Sequence, residues 1–203
     1  VKEGLQKFAN ILESYVRMYP DQWLWLHKRW KSTPAKTVLI LNDGKSGHLN
    51  QSLSVAAQIR RARVTQGYKP DDTKIITVDI KFKNRFSKAF LSSSALFATW
   101  RCHGCMRCMR LALEEGCYET LMKTYSDFVV SAGSQAAAVN VFMSKENNAW
   151  NVVIMKPGML SLKKFSLAVI PRHDRLPART GNVVATAIAP NLIDEAALKL
   201  GGE

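Results

Sequence analysis

At roughly 100–200 residues per domain, a chain of 203 residues is one domain or one domain with an appendage, which excludes a many-domain machine. With 47% hydrophobic and 22% charged residues, 11 Gly and 7 Pro, it has the composition of a globular chain that buries a core, not of a disordered or fibrous one. Its 29 Lys and Arg against 16 Asp and Glu give a formal charge of +13, which favours anionic partners: nucleic acid, lipid head groups or phosphorylated small molecules.

In chain order, Leu5, Phe8, Leu12 and Tyr15 recur at helical spacing and Ile11 and Val16 widen the stripe, so residues about 3–18 form an amphipathic helix that Pro20 ends. In the next stretch, YPDQWLWLHKRWKSTP, Trp23, Trp25 and Trp30 sit among Lys28, Arg29 and Lys31. Amphipathic aromatics beside cations suit an anionic membrane surface; the same rings packed on the protein's own core fit equally well. STPAK reads as a linker, so a Trp-rich helical appendage at 1–34 precedes a domain at 35–203. From Lys36 the texture changes to short β-branched runs at 37–42, 74–80, 127–133, 150–157, 165–171 and 182–188, with helical patterns at about 48–63, 87–100, 106–123 and 134–146. Continuous apolar runs belong to strands buried on both faces, and strand alternating with helix implies βαβ units: an α/β fold with a Rossmann-like parallel sheet flanked by helices. The longest weakly polar run, Ala89 to Trp100, is shorter than the roughly 18–20 apolar residues of a spanning helix, so no transmembrane segment is expected. The start lacks the regions of a signal peptide and opens on Val, which points to a longer parent chain.

The first strand-to-helix turn, LNDGKSGHLNQS, crowds Asp43, Lys45, Ser46, His48, Asn50 and Gln51 around Gly44 and Gly47. Ligands of open parallel sheets bind beyond the carboxyl ends of the strands, where a Gly-containing turn lets helix N–H groups approach a phosphate. The turn matches neither a Walker loop nor GxGxxG, and an ordinary capping turn would use the same residue types. Two further strand ends repeat the pattern. One carries Ser131, Gly133, Ser134 and Gln135; the other carries Arg172, His173, Asp174 and Arg175. His173 beside Asp174 reads as an acid/base element, as a phosphate grip with its flanking arginines, or as a surface turn held by local ion pairs.

Cys102, Cys105 and Cys108, followed by Cys117, are too few and too clustered for a secreted disulfide framework, so a reducing compartment is expected. Three thiols at such spacings suit zinc or an iron–sulfur cluster, but on one continuous helix they fan apart, and buried small hydrophobes is the competing reading. No metal ligand is assigned.

The motifs DGKSGHLNQS, DFVVSAGSQAAAVN, VIMKP, AVIPRHDRLP and NVVATAIAPNLI, in order over about 37–194, resemble the mitochondrial-fission elongate-mitochondria family, whose bacterial members are similar to glycosyltransferases of the two-Rossmann GT-B architecture. The resemblance implies that 35–203 is the N-terminal half of a GT-B-like fold, with the DGKSGH turn on its acceptor or diphosphate side. It also implies a second domain outside this chain that binds a nucleotide sugar. Ala187 and Ile188 stand where the family usually has Gly, and the Cys-rich stretch is not a general family feature. Residues about 10–34 resemble the C-terminal end of bacterial lipid A biosynthesis late acyltransferases. Their HxxxxD motif is absent, since Ser32, Leu53, Cys108 and Ala178 stand five residues after the four histidines.

The resulting expectation is a glycosyltransferase-like domain, joined to a lipid A acyltransferase, working in the cytoplasm as a peripheral protein of the inner membrane. Its partners would be a phosphorylated or lipid-linked envelope saccharide and an anionic membrane surface. His48 is the candidate base. Asp43, Gly44, Lys45, Ser46, Gly47, Asn50, Gln51, Gly133, Ser134, Arg172, His173 and Asp174 form the substrate and phosphate site. The alternative is a non-catalytic membrane-associated scaffold that recruits protein partners. Specific nucleic-acid binding is not expected, because the excess charge is dispersed and no recognition motif is present.

Overall fold

The computed structural model describes residues 2–22, 33–99, 102–174 and 181–192. The chain divides into two compact units, Val1–Thr33 and Pro34–Glu203. In the first, helix α1 (Lys2–Met18) runs into a short 3-10 turn at Pro20–Gln22. Its apolar stripe forms as expected, yet Leu5, Phe8, Ile11, Tyr15 and Met18 all remain exposed. The Trp-rich stretch at 23–31 lies outside the described residues.

The second unit contains β1 (Lys36–Asn42), α2 (Ser46–Thr65), β2 (Thr73–Asp79), α3 (Arg85–Leu96), α4 (Arg107–Ala112), α5 (Glu115–Lys123), β3 (Phe128–Ala132), α6 (Ala137–Asn147), β4 (Trp150–Ile154), β5 (Leu167–Pro171) and β6 (Val183–Thr186). The strands form one sheet in the order β2-β1-β3-β4-β5-β6, and every neighbouring pair is parallel. This is the expected Rossmann-like α/β architecture. The expected single helix over 106–123 is two helices. Leu113 leaves the helical path to bridge Phe82, and the Glu114 amide donates to the Lys81 carbonyl at 3.0 Å. Gly116 at the second position of α5 is a weak sequence mark of that break, and a tertiary pairing fixes it there.

Alternation along the strands sorts the core into two layers. Leu39, Leu41, Val129, Val153, Ala168 and Ile170 face the layer of α3 to α6, whereas Val38, Ile40, Val130, Val152, Ile154 and Val169 face α2. Crossovers leave β1 toward β2 and leave β3 toward β4, in opposite directions, so the strand order reverses between β1 and β3. At the opposite, amino rim, the buried Arg63 guanidinium donates to Thr73 Oγ1 at 2.9 Å and to the Pro34 carbonyl, tying the end of α2 to the starts of β1 and β2. Among the described residues, no helix is long and apolar enough to cross a membrane.

Helix α6 is buried almost all round and carries a polar residue toward the sheet: Asn140, fully buried, donates through Nδ2 to Ser131 Oγ at 2.8 Å and to the Val152 carbonyl at 2.9 Å. Ser131 therefore belongs to this internal contact and is not a rim residue. Asn140→Leu, which keeps the volume and removes the donor, should cost about 1–3 kcal/mol because the buried acceptors lose their partner. A drop in the urea midpoint at unchanged m-value checks it.

Candidate ligand site at the carboxyl rim

The site lies where β1 and β3 leave the sheet, at the reversal of strand order, the place where open α/β sheets bind ligands. Asn42 closes β1: its Nδ2 donates to Asp79 Oδ1 at 2.7 Å, and its Oδ1 accepts from the Gly44 amide at 3.1 Å. Gly44 then turns the chain at φ +86°, a conformation costly for any residue with a Cβ, and α2 begins two residues later.

Asp43 is the residue around which the turn is built. Its side chain is only 3% exposed; Oδ1 accepts from the Lys45 amide at 3.2 Å and Oδ2 meets His48 Nδ1 at 2.8 Å. A carboxylate only accepts, so Nδ1 carries a proton, and in the neutral form of the ring Nε2 holds the lone pair. The His48 side chain is 20% exposed, and its Nε2 has no partner among the described residues. Asp43, expected among the ligand-binding residues, uses both oxygens on its own turn and positions His48. That pairing was not visible in the sequence, although a short acid five residues before a histidine at a helix entrance is the signal that could have found it.

Gly133, just after β3, sits against the imidazole. A Cβ there would lie 2.7 Å from His48 Cε1, and the residue adopts φ +70°. The adjoining turn is tied in as well, since a Cβ at Gly158, in the loop after β4, would approach Ser134 Cβ at 3.0 Å. In that loop Met155 takes φ +63°, a strained value for a non-glycine residue, while its amide donates to the Val169 carbonyl at 2.9 Å. Three successive rim loops, after β1, β3 and β4, thus interlock.

Around this centre the rim exposes polar and charged groups of both signs, including Asp79. Gly44, Lys45, Ser46, Gly47, Asn50 and Ser134 are exposed, and the Ser46, Gly47 and His48 amides at the start of α2 have no partner among the described residues. The Gln51 Oε1, farther along α2, is buried and also has no hydrogen-bond partner among the described residues. Lys156, which the sequence reading did not single out, is exposed after β4, and Arg172 is exposed in the short 3-10 turn Arg172–Asp174 after β5. At about 4.8 Å per strand, β5 stands roughly 14 Å from β1. Arg172 and Asp174 therefore share the rim three strands away from β1. The side chain of His173 and the residue Arg175 lie outside the described residues.

The cysteines sit elsewhere. Cys102 and Cys108 pack partly buried against the core, Cys105 is exposed, and the buried Cys117 thiol donates to the Asp79 carbonyl at 3.3 Å. Among the described residues no three His, Cys, Asp or Glu side chains gather as a metal site would require.

Fold and rim together define a doubly wound, Rossmann-like α/β domain with an Asp–His pair at its switch point. The Mitochondrial fission ELM1 family model matches residues 46–202, most of the chain, and the chain belongs to that family. A second model, Bacterial lipid A biosynthesis acyltransferase, matches residues 1–32, so the N-terminal unit is similar to a short part of that family. Comparison with curated proteins and with solved structures gives no match.

Two measurements test this geometry. Gly133→Ala should cost about 1–3 kcal/mol through its positive φ and displace the imidazole. In a double-mutant cycle with His48→Ala, part of that loss should return, with a coupling of about 1 kcal/mol. Separately, burial pushes the Cys117 thiol above its ordinary value of 9.0. The folded chain then keeps a proton that the unfolded chain releases, so stability is full below pH 9.0 and falls as pH rises toward the folded value. Cys117→Ala should flatten that alkaline loss in denaturation curves taken on either side of pH 9.0.

Proposed function

We propose that the rim binds a phosphorylated saccharide and that His48 acts as general base on an acceptor hydroxyl in glycosyl transfer. The observation that carries this reading is the Asp43–His48 pair: a nearly buried carboxylate fixes Nδ1, while Nε2 and the first three amides of the same helix have no partner among the described residues. An imidazole so oriented can take a proton from a hydroxyl, and its carboxylate stabilises the imidazolium that forms. The Ser46, Gly47 and His48 amides, at the positive end of α2, and Lys45 suit a phosphate or diphosphate. Lys156 and Arg172, farther along the rim, suit the distal part of an extended anionic ligand. The GT-B resemblance supports a nucleotide sugar as donor, bound by a partner domain, and an acceptor that is lipid-linked or part of the envelope. The acyltransferase-like N-terminal unit and the +13 charge support a peripheral position on the cytoplasmic face of a membrane.

Titration calorimetry with inorganic pyrophosphate tests the binding half. Lys45→Ala should weaken binding about fivefold to tenfold, whereas His48→Ala should leave it nearly unchanged. In the full-length protein, release of nucleoside diphosphate should fall about 100-fold or more with His48→Ala. Pyrophosphate binding that ignores Lys45, together with full activity of the His48 variant, would return the turn to a purely structural role and favour the scaffold alternative.

A further inference from the structure

Helix α3 presents an aromatic stripe directly away from the core. Phe86, Phe90 and Phe97 are 87%, 44% and 81% exposed. At 100° per residue they fall within about 40° of one another, opposite the fully buried Leu91 and Ala95 that hold the helix on the domain. Isolated exposed apolar residues are ordinary, but three phenylalanines aligned over about 16 Å of helix are not. The chain segment that carries them is cationic. Between Asp79 and Glu114 the chain has no acidic residue, while it carries Lys81, Lys83, Arg85, Lys88, Arg101, Arg107 and Arg110. Of these, Lys83 donates to the Arg110 carbonyl at 3.0 Å; Lys81, Arg85 and Lys88 have no carboxylate partner among the described residues.

We infer that this face of α3 docks on an anionic lipid surface, with the three phenyl rings entering the interface and the cations contacting head-group phosphates. An outward-pointing helix with an apolar stripe suits a planar interface, and the cationic segment that carries it favours a negatively charged one. The inference deepens the membrane placement proposed above and rests on it. It also orients the site. Residue 80 leaves β2 at the carboxyl rim, where Asp79 is in register with Asn42, so the Phe86 end of α3 starts from the rim that carries the Asp43–His48 pair.

Co-sedimentation of the whole chain with phosphatidylcholine vesicles, with and without phosphatidylglycerol, tests it. The unaltered chain should bind the anionic vesicles, and less so as salt shortens the screening length from ~10 to ~3 Å. The triple variant F86S/F90S/F97S should bind about tenfold more weakly or worse, and Arg85→Gln with Lys88→Gln should each weaken binding about fivefold. Should the triple variant melt early, F86S/F97S, which alters only the two most exposed rings, carries the test. Undiminished vesicle binding by a folded Phe variant would overturn the inference while leaving membrane placement to residues 23–31. Absence of binding by the unaltered chain would overturn both, and pyrophosphate binding at the rim would stand apart from either result. A Phe variant that changes the sedimentation velocity of the free chain but not vesicle binding would show the stripe to be a contact between copies, again against the inference.

Discussion

Strand β1 has a hydrogen-bonded neighbour on each edge and a helical layer on each face, and its central residues Val38 to Leu41 are 0–2% exposed. A strand so enclosed has nowhere to place a polar side chain along its length, because burying one unpaired costs more than the strand returns. Polar chemistry is therefore displaced to the point where β1 leaves the sheet. Because the crossovers part there, the backbone and side chains at that end face an open crevice and not another strand. The position of Asn42, Asp43 and the start of α2 follows from the enclosure of four apolar residues.

The buried Asp43 carboxylate is the first consequence. Removed from water, it requires hydrogen-bond donors on both oxygens, and the turn supplies them from the Lys45 amide and the His48 ring. The carboxylate thereby converts a flexible side chain at a helix entrance into one with a fixed plane and a defined tautomer. Gly133 closes the other side of the ring, so the orientation of His48 depends on two loops that are 85 residues apart in sequence and adjacent only because β1 pairs with β3.

The strands were legible because their signal is local: β-branched and apolar runs such as VLIL and FVV allow little besides a strand buried on both faces. The break between α4 and α5 was not, since LALEE is good helical sequence and the bridge from Leu113 to Phe82 interrupts it. Ser131 misled for a similar reason. It stands one residue before the rim, and the two-residue alternation of β3 turns it inward to Asn140, a partner visible only once α6 is packed. At the candidate site the residue types were readable and their division of labour was not. Asp43, Lys45 and His48 stand within six positions, yet which of them faces a ligand and which holds another in place depends on burial, and burial is a property of the whole sheet.

The contact between Gly133 and the His48 ring also sets a rule for other chains that share this framework. The imidazole occupies the volume that any Cβ at 133 would need, so the two positions cannot both be enlarged, and a side chain at 133 is compatible only with a smaller residue at 48. A relative that has lost the histidine is released from the steric half of that restriction, though not from the positive φ. Gain of a side chain at the first position of the β3 turn is thus a mark, readable in an alignment, of a lineage in which the rim has given up the imidazole and whatever work it does.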